Sequence, residues 1–188
     1  GVEVLDPVSA LPNRIVPKQK VKHHASIIEP KKIGELLKSF DKFNGSKVTH
    51  AALMMTPLVF VRPGELRKLK WSEINLEEKR WYLPASKAKS DRDLVVPLSK
   101  QVIKILNDLK PITGKRPYVF AGPREFNGHM SENTINKALK SLGWDTQTDI
   151  TGNGFRAMAR TVLSERLGFE DKIIELQISH KVLDHLGR

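Results

Sequence analysis

The sequence predicts a mainly helical α+β fold that carries a small three-stranded antiparallel sheet. Two observations predict it. Apolar residues recur at helical spacing in segments spread along most of the chain, and short runs of strand-forming residues cluster between residues 71 and 98. A chain of 188 residues with 39% hydrophobic and 28% charged side chains is long enough to bury a proper core around such elements.

The first segment, 1–25, holds Pro7, Pro12 and Pro17, then Lys18, Lys20, Lys22 and the pair His23-His24. With little periodicity, it reads as the end of something upstream plus a basic linker, so the chain is expected to be a piece of a longer protein. The two histidines lack partners at metal-ligand spacing and read as solvated. Residues 26–188 read as one domain.

Ile33, Leu36, Leu37, Phe40 and Phe43 form the stripe of an amphipathic helix that opens at Glu29-Pro30 and ends at Asn44-Gly45. A second helix runs from Ser46 or Lys47 through Met55 toward Phe60, apolar on more than one side and therefore buried, with Pro57 expected to kink or break it. Pro63 then occupies the first turn of a short helix and places Arg62 at its N-terminal edge; Leu66 and Leu69 supply core contacts, and Glu65 either pairs with an arginine or is solvated. Trp71 to Ile74, Arg80 to Pro84 and Asp93 to Leu98 read as the strands, the last two flanking a tip, Ala85 to Arg92, that carries Lys87 and Lys89. Ser99 caps a helix over Val102, Ile105, Leu106 and Leu109 that Pro111 stops. A loop-rich stretch from Ile112 to Met130 sends Tyr118-Val-Phe120 into the core. Another helix runs from the cap Ser131 to Leu142, closed by Gly143, with Lys137 and Lys140 turned outward. Thr151-Gly-Asn-Gly-Phe-Arg156 leads into a helical run, Ala157 to Leu163, and a last helix, Phe169 to Ile178, ends at Gln177-Ile-Ser-His180.

Lysine and arginine number 32 against 21 acids, a net charge of +11. That balance points to a polyanion, of which nucleic acid is the commonest, or to charge that serves only solubility. The absence of cysteine excludes a disulfide framework, a thiolate zinc site and a cysteine nucleophile. No apolar run approaches the roughly 20 residues of a membrane span, and no secretory signal is visible. Gly114-Lys115-Arg116 lacks the glycine spacing of a P-loop, and no His/Asp/Glu set has metal-ligand spacing, so neither a nucleotide nor a metal cofactor is expected.

Chemistry concentrates at a few cations. The glycines of Thr151-Gly-Asn-Gly-Phe-Arg156 can bring backbone close to a ligand, and an arginine at a helix start sits where free N–H groups already favour an anion. Arg156 is therefore a candidate phosphate clamp, though the same pattern serves a tight turn with a surface arginine. Arg62 repeats the geometry. Lys87 and Lys89 can reach a phosphate or protonate a leaving oxygen, or simply be wet.

Arg62 in Arg-x-x-Glu-Leu, a lysine on a β-hairpin, Arg156 in Gly-x-Gly-Phe-Arg and His180 in Ser-His follow one another on matching predicted elements. From about Ser26 to Arg188 this set resembles the catalytic domain of tyrosine recombinases, the phage integrase family, with a texture closest to prophage and genomic-island integrases. The resemblance implies that Arg62 and Arg156 hold the non-bridging oxygens of a scissile phosphate, each donor worth about 3 kcal/mol in the transition state. It implies that Lys89, with Lys87 in reserve, protonates the departing 5′ oxygen and that His180 hydrogen-bonds the phosphate. Lys87, Arg92, Lys137, Lys140 and Arg160 are the expected contacts to double-stranded DNA at attachment sites.

Two departures stand out. Asn153 occupies a position where the family usually carries histidine; it can donate a hydrogen bond but cannot act as a general base. The nucleophilic tyrosine is expected just past Arg188, whereas Tyr82 and Tyr118 read as packing residues, so this fragment alone is expected to bind DNA without cleaving it. The resemblance further implies no cofactor, a homotetramer on DNA for the intact protein, a monomeric fragment, and a bacterial cytoplasmic location, at the nucleoid when on DNA. Alternatives are a non-catalytic double-stranded DNA-binding module that keeps the fold, a type IB topoisomerase-like enzyme, and a basic helical scaffold for protein or RNA.

Overall fold

The computed structural model describes residues 24–178. Helix α1 (Pro30–Ser39) runs into a short 3-10 turn (Phe40–Lys42), followed by α2 (Lys47–Val59) and the single-turn helix α3 (Pro63–Leu66). Strands β1 (Ile74–Asn75), β2 (Arg80–Leu83) and β3 (Leu94–Pro97) form an antiparallel sheet in the order β1-β2-β3. Helices α4 (Lys100–Thr113), α5 (Thr134–Ser141), α6 (Gly154–Thr161) and α7 (Asp171–Gln177) complete the described chain, with a π-helical turn (Val162–Arg166) continuing α6. The expected fold class is the observed one.

Local chemistry explains most boundaries. Ser46 caps α2 by accepting from Thr49 N at 3.1 Å, and Ser99 caps α4 by accepting from Val102 N at 3.3 Å. Pro30 and Pro63 stand in the first turns of α1 and α3, where a missing N–H costs nothing. Trp81 pairs with Ile74 on one side and Val96 on the other. Alternation along β2 buries Trp81 and Leu83 and leaves Arg80 and Tyr82 outside.

Several boundaries differ from the sequence expectation. Pro57 and Pro111 neither break nor stop their helices: α2 continues to Val59 and α4 to Thr113, and both of these terminal residues are buried. Burial beyond each proline offsets the one hydrogen bond it removes, because only a partial turn remains after it. Residues 71–73 form a 3-10 turn instead of a strand. Trp71 N donates to Pro117 O at 3.1 Å and Glu73 turns back to accept from Lys70 N at 3.2 Å, which curls the backbone before β1 can begin. Helix α5 starts at Thr134, after a turn closed by Thr134 N to Ser131 O at 3.2 Å, and α1 ends in the 3-10 turn before Asn44-Gly45 is reached. Val119 and Phe120 are buried as expected, while Tyr118 is half-buried.

One continuous core joins the helices to the sheet, with Leu36, Phe40, Leu53, Leu69, Trp81, Leu106, Phe120, Leu139 and Phe155 among its members. Helix α2 is central: it packs against α4, α5 and α6. Its C-terminal end leads directly to the first candidate arginine. Phe60 adopts a left-handed conformation (φ 52°) that terminates α2 and turns the chain toward Arg62. Among the described residues, no helix is long and apolar enough to cross a membrane.

Candidate functional site

Arg62 is the residue before α3. Its backbone N–H donates to Glu65 Oε2 at 2.8 Å, and its Nη1 donates to Glu65 Oε1 at 3.2 Å. Glu65 is buried, at 4% exposure, and its Oε1 also accepts from the backbone N–H of Lys89 at 3.2 Å. One carboxylate therefore fixes the arginine and fastens the tip of the β2–β3 hairpin beside it. Of the two tip lysines, Lys89 is the one whose backbone is attached to this carboxylate. Its side chain is exposed and makes no ion pair or hydrogen bond among the described residues. Lys87 points elsewhere: its ammonium pairs with Glu73 and also reaches Lys68 O at 3.4 Å.

The second wall is built around the turn before α6. Thr151 Oγ1 accepts from Gly154 N at 2.9 Å, and Asn136 Oδ1 on α5 accepts from Gly152 N at 2.9 Å. Both glycines lie in close approach to the chain itself, Gly154 more tightly than Gly152. A Cβ on Gly154 would lie 2.0 Å from the carbonyl oxygen of Ala25, and a Cβ on Gly152 would lie 3.0 Å from Pro63 Cγ. The second contact brings the two walls together, since Pro63 follows Arg62 and Gly152 sits at the entry to the helix that holds Arg156.

Arg156 lies in the first turn of α6 and is 7% exposed. Its Nη1 donates to Phe60 O at 2.7 Å and its Nη2 to Ile178 O. Two carbonyls thus orient the guanidinium, and N–H groups are left over for another acceptor because it has five. Burial, and after it the positive charge of Arg62, lower the pKa of Arg156 to about 10 against the opposing charges of Glu65 and Glu175. A drop of that size corresponds to about 3 kcal/mol of charge left unsatisfied. The mutual repulsion of Arg62 and Arg156 means that an anion between them is stabilised by both.

The other expected site residues differ in their surroundings. Asn153 is half-buried at the entry to α6, next to Gly154, and its side chain makes no hydrogen bond among the described residues. Lys137 and Lys140 are exposed on α5, Lys137 next to the Asn136 that holds Gly152, and Arg92 is exposed on the hairpin tip. Arg160 is engaged within the protein, its Nε donating to Glu175 Oε1 on α7 at 2.6 Å. His180 lies outside the described residues. The tyrosines belong to other surroundings: Tyr82 donates to Glu78 on the outer face of the sheet, and Tyr118 stands edge-on to His129 with ring centroids 5.1 Å apart.

Sequence reasoning left out Glu65 as a site residue, although its spacing from Arg62 signalled the pairing, and it left out Glu73, the partner that occupies Lys87. The carbonyls of Phe60 and Ile178 carry no side-chain signal at all.

The family model described as "Phage integrase family" matches residues 26–188. The integrase of Enterobacteria phage P4 is 35% identical over 173 residues, which is 86% of this chain and 39% of that protein. The prophage integrase IntA of Escherichia coli K12 is 32% identical over 153 residues, 81% of this chain and 36% of that protein. The chain thus spans about two fifths of the length of these relatives. Among solved structures, XerA recombinase superposes with a TM-score of 0.65 at 20% identity, over 92% of this chain and 61% of that one. A lambda integrase dimer bound to a COC′ core site gives 0.63 at 18%, over 89% and 48%. These two structures share the fold.

Proposed function

The chain belongs to the phage integrase family, and from that premise we propose that it forms the phosphate-holding part of an enzyme that recombines double-stranded DNA by cutting and rejoining strands. The observation that carries the proposal is the convergence of Arg62 and the buried Arg156 on one place, with Lys89 fastened beside them through Glu65. Two guanidinium forks offer directed donors to the non-bridging oxygens of a phosphodiester, and in a site sheltered from water such donors act most strongly where charge develops. The names of relatives and neighbours, integrases of phage and prophage, a recombinase and a lambda integrase bound to a core site, support the same reading.

In the proposed reaction a tyrosine oxygen, supplied from beyond Arg188, attacks phosphorus while the bond to the 5′ oxygen breaks. The 5′ oxygen takes a proton from the Lys89 ammonium and leaves as a hydroxyl; the phosphate stays on the enzyme as a 3′-phosphotyrosyl ester. A second strand's 5′ hydroxyl reverses the step, so bond energy is conserved without ATP. Asn153 donates to a phosphate oxygen but cannot take the phenolic proton, which must go to another base or to water. The intact protein acts as a homotetramer on paired sites, in the compartment that holds the DNA.

The test uses the full-length protein and a DNA substrate nicked so that the cleaved end diffuses away. A covalent 3′ adduct that disappears on Arg62→Ala or Arg156→Ala is the expected result. Duplex binding without any adduct overturns the proposal in favour of a second reading, a non-catalytic module, which Asn153 favours. Lys89→Ala should slow adduct formation on an ordinary substrate far more than on one whose 5′ bridging oxygen is replaced by sulfur, since a thiolate leaves without protonation.

A further inference from the structure

Helix α7 is seated by an unusual means. Ile174 is its one buried residue, while Ile173 and Leu176 are each 55% exposed, so apolar burial holds it weakly. Polar contacts from α6 and its π-helical continuation reach it at three successive levels. Ser164 Oγ donates to Asp171 Oδ1 at 2.8 Å, Arg160 Nε donates to Glu175 Oε1 at 2.6 Å, and Arg156 Nη2 donates to Ile178 O. The donors at 156, 160 and 164 are four apart and so lie on one helical face, and their acceptors run in the opposite order along α7. The π-helical turn, marked by Leu167 N to Val162 O at 3.1 Å, belongs to the same segment as Ser164.

The last of these contacts involves the arginine assigned to the phosphate. The carbonyl of Ile178 is one of only two acceptors among the described residues that orient Arg156. Its place depends on where the end of α7 sits, and the nearest tie that holds α7 there is Arg160–Glu175, one turn away.

We propose that Arg160 and Glu175 are positioning residues for the phosphate site: their ion pair sets the seat of α7, and through the Ile178 carbonyl it sets the aim of Arg156. This rests on the recombinase reading for its effect on rate, and it assigns to Arg160 a role inside the protein where the sequence suggested a DNA contact.

Neutral and exchanged variants of the full-length protein separate the two roles: Arg160→Gln, Glu175→Gln, and the double exchange Arg160→Glu with Glu175→Arg, which keeps the net charge. All are compared at equal folded fraction, checked by thermal unfolding. A positioning pair predicts that both single variants slow adduct formation at saturating DNA, by about tenfold or more as for small displacements of a reacting group. Duplex affinity stays within about twofold because few phosphate contacts are lost. The exchange recovers most of the rate.

A DNA-contact role for Arg160 predicts otherwise and would overturn the proposal. Arg160→Gln would then weaken binding and reduce the salt slope by about one, Glu175→Gln would not slow the reaction, and the exchange would remain defective. If the wild-type protein forms no adduct, the recombinase reading fails while the tie is still judged by amide exchange over residues 171–178. Exchange should be faster in both single variants and return toward wild type in the double; unchanged exchange in the singles overturns the proposal.

Discussion

The two walls of the phosphate site hold their arginines by opposite means. On the α3 side the hold is a carboxylate: Glu65 lies three residues from Arg62, neutralises it, and captures the hairpin tip through Lys89 N. On the α6 side Arg156 is gripped by neutral carbonyls from residues 96 and 22 positions away, and it has no carboxylate in hydrogen-bonding contact among the described residues. The first wall is electrostatically complete; the second carries a positive charge whose pKa is lowered by its burial and by Arg62. What the difference teaches is that the deficit is localised. A ligand anion completes the α6 wall more than the α3 wall, so Arg156 should dominate both chemistry and ligand-linked stability.

The sharpest way to break this asymmetry is to remove each arginine in turn. Arg156→Ala should lower adduct formation by about a hundredfold to a thousandfold, the cost of a directed donor in a sheltered site, about 3–4 kcal/mol. Arg62→Ala should cost somewhat less in rate and more in stability, because it leaves Glu65 buried without its ion-pair partner. Single-turnover rates alongside urea unfolding check the pair, and equal losses in both measurements would dissolve the distinction between the walls.

The second wall also depends on close backbone packing. Gly154→Ala puts a methyl group 2.0 Å from the Ala25 carbonyl oxygen, a clash with backbone that side-chain rotation cannot relieve. Destabilisation of about 3 kcal/mol is expected, at the upper end for overpacking. Gly152→Ala, facing the Pro63 ring at 3.0 Å, should cost about 1 kcal/mol while displacing the Arg62 wall from the Arg156 wall. A larger loss of stability for Gly152→Ala than for Gly154→Ala in chemical denaturation would contradict the packing described.

These two glycines show what the sequence made legible and what it did not. Gly-x-Gly before an arginine announces close approach, yet it does not say to what; here the neighbours are Ala25 and Pro63, and only the fold brings them there. Arg62 was readable because Pro63 marks a helix start in the sequence itself. The resemblance put Lys89 ahead of Lys87; what residue type did not carry is that Glu73 pairs with the Lys87 ammonium while Glu65 accepts from the backbone N–H of Lys89. Stripes such as Leu36 and Phe40 were legible because burial follows helical spacing. Pro57 and Pro111 misled because tertiary burial beyond them outweighs their local cost. The carbonyls that aim Arg156 leave no trace in residue type.

A smaller effect sharpens the first wall. Glu65→Gln keeps the shape and one acceptor oxygen but removes the charge that offsets Arg62, with an expected stability loss of about 2 kcal/mol, typical of a hydrogen bond to a charged group. It should also loosen the hairpin, since Lys89 N shares the same carboxylate. Faster amide exchange at Lys89, with exchange in α6 unchanged, is the expected signature. A change that reached α6 equally would mean that the walls are one unit.

The smallest effect tests the second wall by filling it. Inorganic phosphate at about ten times its dissociation constant should stabilise the protein by about 1.4 kcal/mol, or roughly 3–6 °C in unfolding temperature for a chain of this size. Most of that gain should vanish in Arg156→Ala. Its pH dependence has a definite sign. Burial holds the pKa of Arg156 in the folded protein at about 10, well below the ordinary guanidinium range. As pH rises from about 10, the folded guanidinium loses its proton first, phosphate loses a donor and a charge, and the Arg156-dependent part of the protection fades. Without phosphate the trend reverses: over the same window the unfolded chain binds more protons than the folded one, so this group's contribution to stability grows with pH. Phosphate protection of equal size in wild type and Arg156→Ala would place the anion on the Arg62 wall, where Glu65 already supplies the counter-charge, and would overturn the asymmetry.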